Sequence, residues 1–154
     1  MTVEASEKIR LATPADVPAV RAVTDAAYRP SIERIGLVPA PMGADHAADV
    51  AADRVHVTGS GAVIGVLVLV PHDDHLLLES VAVHPDAAGR GVGRRLLAHV
   101  EAHARSLGLP EIRLYTHVLM GENQKLYARH GYELVERRAD GVYDRFHYRK
   151  RPAG

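Results

Sequence analysis

Apolar residues recur along the chain in two periods, about 3.6 for helices and 2 for strands, and the switches between them mark the elements. Ile9 to Ala12 predicts a short first strand. Thr13-Pro14-Ala15-Asp16 offers a capping threonine, a proline at the first helical position and an acid in the first turn, and Val17, Val20, Val23 and Ala27 follow at helical spacing. From Tyr28 to Gly43 the chain carries Pro30, Pro39 and Pro41, which predicts a long irregular connection with a turn of helix near Ser31 to Ile35. Asp45 to Ala52 predicts a short helix. Arg54 to Thr58, Ala62 to Val70 and His75 to Val83 predict three strands, and their links are short enough to demand antiparallel neighbours. The run AVIGVLVLV, residues 62–70, is apolar at nearly every position, as in a strand covered on both faces. Val92 to Leu107 predicts a helix with Leu96, Leu97, Val100, Ala104 and Leu107 on one stripe, ended by Gly108 and Pro110. Glu111 to Thr116 predicts a strand, Glu122 to His130 a helix stopped by Gly131, and Tyr132 to Arg138 with Val142 to Arg149 a final hairpin. The order is that of an α/β fold: a mixed sheet in one layer, with helices expected on both faces.

Between the third strand of that trio and its helix lies HPDAAGRGVGRRLL, residues 84–97, with glycines at 89, 91 and 93. A Walker loop needs Gly-Lys-Ser/Thr after its second glycine, and here Gly93 is followed by Arg94-Arg95-Leu96. A dinucleotide fingerprint needs Gly-x-Gly-x-x-Gly and an acid closing the next strand, which ends here in Tyr115-Thr116-His117. Two readings remain. One is a plain tight turn; the other is a turn whose amides, backed by the first N–H groups of the Val92 helix and by Arg90, Arg94 and Arg95, bind an anion such as a pyrophosphate.

Composition removes several alternatives. With 154 residues, 47% hydrophobic and 25% charged, the chain suits one domain with a single core. Nineteen basic residues balance nineteen acidic ones, so neither nucleic acid nor a membrane surface is an expected partner. The absence of cysteine excludes disulfides and thiolate chemistry. No segment reaches the roughly 18 apolar residues of a span, and the polar start MTVEASEKIR has no signal core, so a cytoplasmic protein is expected. His99 and His103 stand four apart, but as His-Val-Glu-Ala-His with no third ligand evident in the sequence. A solvated helix face and no metal are therefore expected. His72-Asp73-Asp74-His75 reads as a polar turn.

The segment ESVAVHPDAAGRGVGRRLLAHVEAHARSLGL resembles the central acyl-CoA-binding motif of the GNAT superfamily of N-acyltransferases, and NQKLYARHGYE, residues 123–133, resembles its second motif. Two positions depart: Ala88 stands where Gln or Arg is usual, and Met120 stands seven residues before the tyrosine, where many members have asparagine. The resemblance implies a mixed, mostly antiparallel GNAT-like sheet, with residues 1–154 as a single N-acetyltransferase domain behind a flexible tail at 1–7. It implies acetyl-CoA as co-substrate, held by Val81, Ala82 and Val83 along the pantetheine arm, by Gly89, Arg90, Gly91, Val92, Gly93 and Arg94 at the pyrophosphate, and by Asn123. Tyr127 is implied as the general acid for the leaving thiolate. Glu79, with Leu77, Val81 and Val83 as same-face neighbours, is the expected general base, raised in pKa by desolvation, and His117 is the next candidate. Tyr28 to Met42 is too apolar for a free loop and must pack on something; the resemblance implies that this region lines the acceptor cleft, with Tyr28, Arg34 and Met42 as contacts, and the alternative is a structural cover over the sheet. The function expected is acetyl transfer to a primary amine, on a small molecule or a peptide, by direct attack. The alternative is a non-catalytic acyl-CoA-binding or sensing domain on the same fold. A homodimer is also allowed for.

Overall fold

The computed structural model describes residues 8–152, so the tail expected at residues 1–7 lies outside the described residues. Strand β1 (Arg10–Leu11) leads into a 3-10 turn over Pro14–Asp16. There the Asp16 carboxylate reaches back to the Thr13 N–H at 2.8 Å and takes two hydrogen bonds from Arg10, at 2.7 and 3.0 Å. Those Arg10 hydrogen bonds, with the one from Thr13, hold the carboxyl well below the usual carboxylate range.

Helix α1 (Val17–Ile35) corrects one expectation. The proline-rich stretch from Tyr28 does not break the helix, which runs through Pro30 and stops only at Gly36, whose N–H bonds the Ile32 carbonyl at 2.9 Å. An interior proline costs about 3 kcal/mol, because it removes a hydrogen bond and crowds the preceding turn. The buried face continues regardless, from Val20, Val23 and Thr24 on to Ser31, and the packing of that face overrides the local signal. Irregular chain is confined to residues 36–45, with a 3-10 turn over Ala40–Gly43. Helix α2 (His46–Ala51) then starts on Asp45, which accepts from the Ala48 N–H at 3.0 Å.

The hydrogen-bonded strand order is β1-β2-β3-β4-β5-β7-β6 in a seven-stranded sheet, with β2 (Val55–Thr58), β3 (Gly65–Pro71), β4 (Leu76–Val83), β5 (Ile112–His117), β6 (Glu133–Asp140) and β7 (Tyr143–Lys150). The pairs β1/β2, β2/β3, β5/β7 and β6/β7 are antiparallel, and β4/β5 is parallel, as a strand–helix–strand crossover requires. The chain forms two compact units. Among the described residues the first comprises 8–69 with Ser80–His99, and the second Val70–Glu79 with 100–152.

In the first unit the strands alternate. Val55 and Val57 of β2, with Val66 and Val68 of β3, join Val20 and Val23 of α1 and Val50 of α2 in a valine core. The opposite face carries His56, Thr58, Gly65 and Leu67, and meets α3 (Val92–Ser106). A Cβ at Gly65 would lie 2.9 Å from Val92 Cγ1 and 3.2 Å from Leu96 Cδ1, so the bare glycine is what lets this helix sit close on the strand. Helices thus cover both faces of this part of the sheet, as the apolar run suggested. The strand itself begins three residues later than expected: Ala62–Ile64 belong to the turn, and Ile64 N–H bonds the Thr58 carbonyl at 2.8 Å. Leu107, expected on the buried stripe of α3, lies past its end and is 45% exposed.

In the second unit β5, β7 and β6 form a ladder beside Leu76–Leu78 of β4. Helix α4 (Gly121–Arg129) buries Tyr127, which meets Tyr132 edge-on at 5.9 Å and Tyr148 at 6.2 Å. Strand β6 is exposed along nearly its whole length and is bulged between Leu134 and Glu136.

Candidate active site

The first unit holds the glycine loop. Ala82 is buried, and Val81 and Val83 are half-buried. The Val81 carbonyl accepts a hydrogen bond of 3.0 Å from the Tyr28 hydroxyl, which fixes the end of β4 to α1. After Val83 the His84 N–H bonds the Ile64 carbonyl, and its ring Nδ1 accepts from the Asp86 N–H at 3.1 Å, forming the 3-10 turn over Pro85–Ala87. Gly89 and Gly91 follow at φ 80° and 76°, a left-handed backbone that disfavours any side chain. An added Cβ would meet nothing within 4 Å at Gly89, and only Arg95 Nη1, at 4.0 Å, at Gly91.

The loop therefore presents main chain to open space at the start of α3, where the Arg95 N–H makes the first helical bond to Gly91. No acid lies in the first turn of α3, Arg90 and Arg94 are exposed, and Arg95 Nη1 donates to the Arg90 carbonyl at 3.3 Å. The first N–H groups of a helix, a left-handed turn and nearby guanidinium groups are together chemistry that suits an anion. Gly93 is helical and its Cβ position meets Val83 at an ordinary 3.9 Å.

The residues expected at the acceptor cleft fall on α1 and on the 3-10 turn that follows it. Tyr28 is half-buried and engaged with β4, Arg34 is exposed in the last turn of α1, and Met42 is half-buried in the 3-10 turn. Tyr28 and Arg34 reach these places on a regular helix, not on the irregular connection expected of them.

In the second unit Glu79 is half-buried just past the β4/β5 ladder. Its charge reaches Tyr115, whose hydroxyl pKa is raised by burial, lowered by Arg145 and raised by Glu79. Arg145 stacks on the Tyr115 ring at 4.1 Å. His117, the second candidate base, caps the next turn: its Nδ1 accepts from the Leu119 N–H at 3.1 Å. Asn123 Nδ2 lies 3.5 Å from Thr116 Oγ1, and Gln124 Nε2 secures the turn by donating to Val118 O at 2.8 Å. Tyr127 is 6% exposed, its ring held in the cluster with Tyr132 and Tyr148.

The model of the Acetyltransferase (GNAT) family matches residues 25–132. The chain belongs to that family. Mouse (Mus musculus) N-alpha-acetyltransferase 80 is 42% identical over 66 residues, which are 43% of this chain and 19% of that protein; the chain thus matches about a fifth of the relative's length. Among solved structures, a PaiA N-acetyltransferase from Thermoplasma acidophilum in complex with coenzyme A superposes with a TM-score of 0.79 at 17% identity, covering 94% of this chain and 98% of the other. The ribosomal-protein-S18-alanine N-acetyltransferase from Escherichia coli gives 0.74 at 18% identity, covering 96% and 95%. Both likenesses establish the GNAT fold, a mixed and mostly antiparallel sheet with helices.

One group in this GNAT chain escaped the sequence reading. Tyr115 and His147 pair across β5 and β7, and Asp140 at the end of β6 receives His147 Nε2 at 2.9 Å and Arg145 Nη1 at 3.4 Å. Tyr115, Asp140 and His147 line a cleft of about 360 Å³ that also includes Leu77 and Arg138. The period-2 series Arg113, Tyr115, His117 and Arg145, His147, Arg149 was the signal that could have found it. Among the described residues no helix is long and apolar enough to cross a membrane.

Proposed function

We propose that residues 8–152 act as one acetyltransferase domain that moves an acetyl group from acetyl-CoA to a primary amine by direct attack. The observation that carries this reading is the left-handed Gly89–Gly91 turn at the acid-free start of α3, flanked by Arg90, Arg94 and Arg95. In this reading those residues, with Val92 and Gly93, hold the pyrophosphate, Val81 to Val83 offer main-chain groups to the pantetheine arm, and Asn123 adds a polar contact. Acetyl-CoA supplies the thioester. The amine must be neutral to attack, yet at an ordinary pKa of about 10.4 only about one molecule in 2,500 is neutral at pH 7. Glu79 takes the proton as the nitrogen–carbon bond forms, and Tyr127 gives one to sulfur as the carbon–sulfur bond breaks. Tyr28, Arg34 and Met42 border the acceptor, with Tyr28 acting through Val81 as well.

The test is thiol release from acetyl-CoA with a panel of polyamines, amino acids, aminoglycosides and peptide N-termini. The expected result is turnover with one class of amine, lost in Glu79→Gln at neutral pH and partly recovered at high pH, where more amine is neutral. A Glu79→Gln enzyme with the wild-type pH profile removes Glu79 as base. Tight acetyl-CoA binding without thiol release from any amine favours a sensing domain instead.

A further inference from the structure

Two clusters of ring side chains take no part in the chemistry above. In the first unit His99 Nε2 on α3 lies 3.2 Å from Nδ1 of the buried His56 on β2, which corrects the solvated face expected for His99. In the second unit the rings open on the cleft, which runs from Leu77 of β4 through Tyr115 of β5 and His147 of β7 to Arg138 and Asp140 of β6. Parallel pairing sets Leu77 beside Arg113, and the next residues on the same face of the two strands are Glu79 and Tyr115, at one level of the sheet. The Tyr115 ring is gripped from β7. The Arg145 guanidinium stacks on it at 4.1 Å and on Tyr143 at 4.7 Å, and its Nη1 donates to Asp140 at 3.4 Å. A cation is attracted to both ring faces, and with its side chain 15% exposed Arg145 has little room to swing away. His147, opposite Tyr115 in the ladder, sets its ring 5.6 Å from the tyrosine and is itself held by Asp140 at 2.9 Å.

A neutral primary amine carries two N–H groups and one lone pair. With Glu79 taking one proton, the second N–H needs an acceptor that does not itself ionise; otherwise the nitrogen turns about its single contact and the lone pair swings off line. We propose, on the footing of the amine transfer set out above, that Tyr115 touches the acceptor amine, its hydroxyl oxygen accepting one N–H beside Glu79, and that Arg145 is the positioning residue that sets the Tyr115 ring. Burial raises the Tyr115 pKa, Arg145 lowers it, and Glu79 and Asp140 raise it; the net rise keeps a neutral hydroxyl near pH 7, able to accept and not a rival base. The departing proton still goes to Glu79. Tyr115 fixes where the lone pair points.

The experiment uses full-length protein carrying Cζ-¹³C tyrosine, in which the resonance missing from Tyr115→Phe is that of Tyr115. Each amine of the panel is added to the protein saturated with coenzyme A, and at least one should shift this resonance. The same amine should show a KM raised about 2- to 12-fold in Tyr115→Phe, the range of one neutral hydrogen bond, with acetyl-CoA affinity unchanged in calorimetry. Arg145→Gln should raise that KM in the same direction and diminish the shift, which a role in stability alone would leave intact. A Tyr115 resonance that no amine moves, or an amine KM unchanged in Tyr115→Phe, overturns the contact even where thiol is released. A resonance shifted by an amine without thiol release from any of them keeps Tyr115 as the amine contact and removes the transfer instead.

Discussion

Replacing Tyr28 by phenylalanine isolates a single atom. The Tyr28 hydroxyl donates to the Val81 carbonyl at 3.0 Å in a half-buried setting, across 53 residues of chain. A neutral hydrogen bond of this kind contributes about 0.5–1.5 kcal/mol net, because water competes for both partners in the unfolded chain. In a domain of this size each kcal/mol moves the melting temperature by about 2–4 °C, so Tyr28→Phe should lower it by about 1–6 °C. The ring stays against the valine core, so no cavity adds to the loss. Because Val81 stands at the end of the proposed pantetheine strand, the same change should weaken acetyl-CoA binding several-fold while the amine KM holds. Thermal melts, calorimetry with acetyl-CoA and steady-state kinetics read these separately. An unchanged melting temperature together with unchanged acetyl-CoA affinity would refute the reasoning.

Gly91→Ala forces a side chain into φ 76°, at a cost of about 1–2 kcal/mol, and should weaken acetyl-CoA binding at least about tenfold in calorimetry below the melting point. A folded variant with full affinity removes the loop from the site. Tyr127→Phe keeps the ring cluster with Tyr132 and Tyr148, so stability should hold while kcat falls far more than the KM for acetyl-CoA changes. A loss confined to KM would assign the hydroxyl to binding. His46 is buried, and burial holds its pKa below the ordinary 6.5, so the fold prefers the neutral ring. Its contribution is complete above pH about 6.5 and is lost as pH falls through the lowered folded value. His46→Leu should therefore flatten the decline of melting temperature between about pH 7 and 5, and an unchanged slope would exclude His46 as its source.

Local signals were read where they are strong. The Thr13-Pro14-Ala15-Asp16 start, the loop from His84 to Gly93 and the hairpin at Gly141 stand where short-range chemistry placed them. Reading failed where distant packing decides. Pro30 looked like a breaker because the burial of Ser31 depends on the core beneath it, which no local window contains. Tyr28 and Val81 meet through folding alone, as do His56 and His99, so neither pair could be seen from spacing. The role of Tyr127 comes from the family resemblance, and that of Glu79 from its apolar same-face neighbours Leu77, Val81 and Val83.

The two ends of the sheet bear on how copies of this protein can meet. At one end, among the described residues, β1 spans Arg10–Leu11, too short to template another strand. At the other, β6 lays bare Leu134 and Val135, each more than half exposed, but the bulge breaks its ladder there and Glu133, Glu136, Arg137 and Arg138 crowd the same strand. Edges so shortened, bent and charged resist continuation from one molecule into the next. Deleting the bulge at Val135 would be the simplest way to turn this terminated edge into one that can propagate.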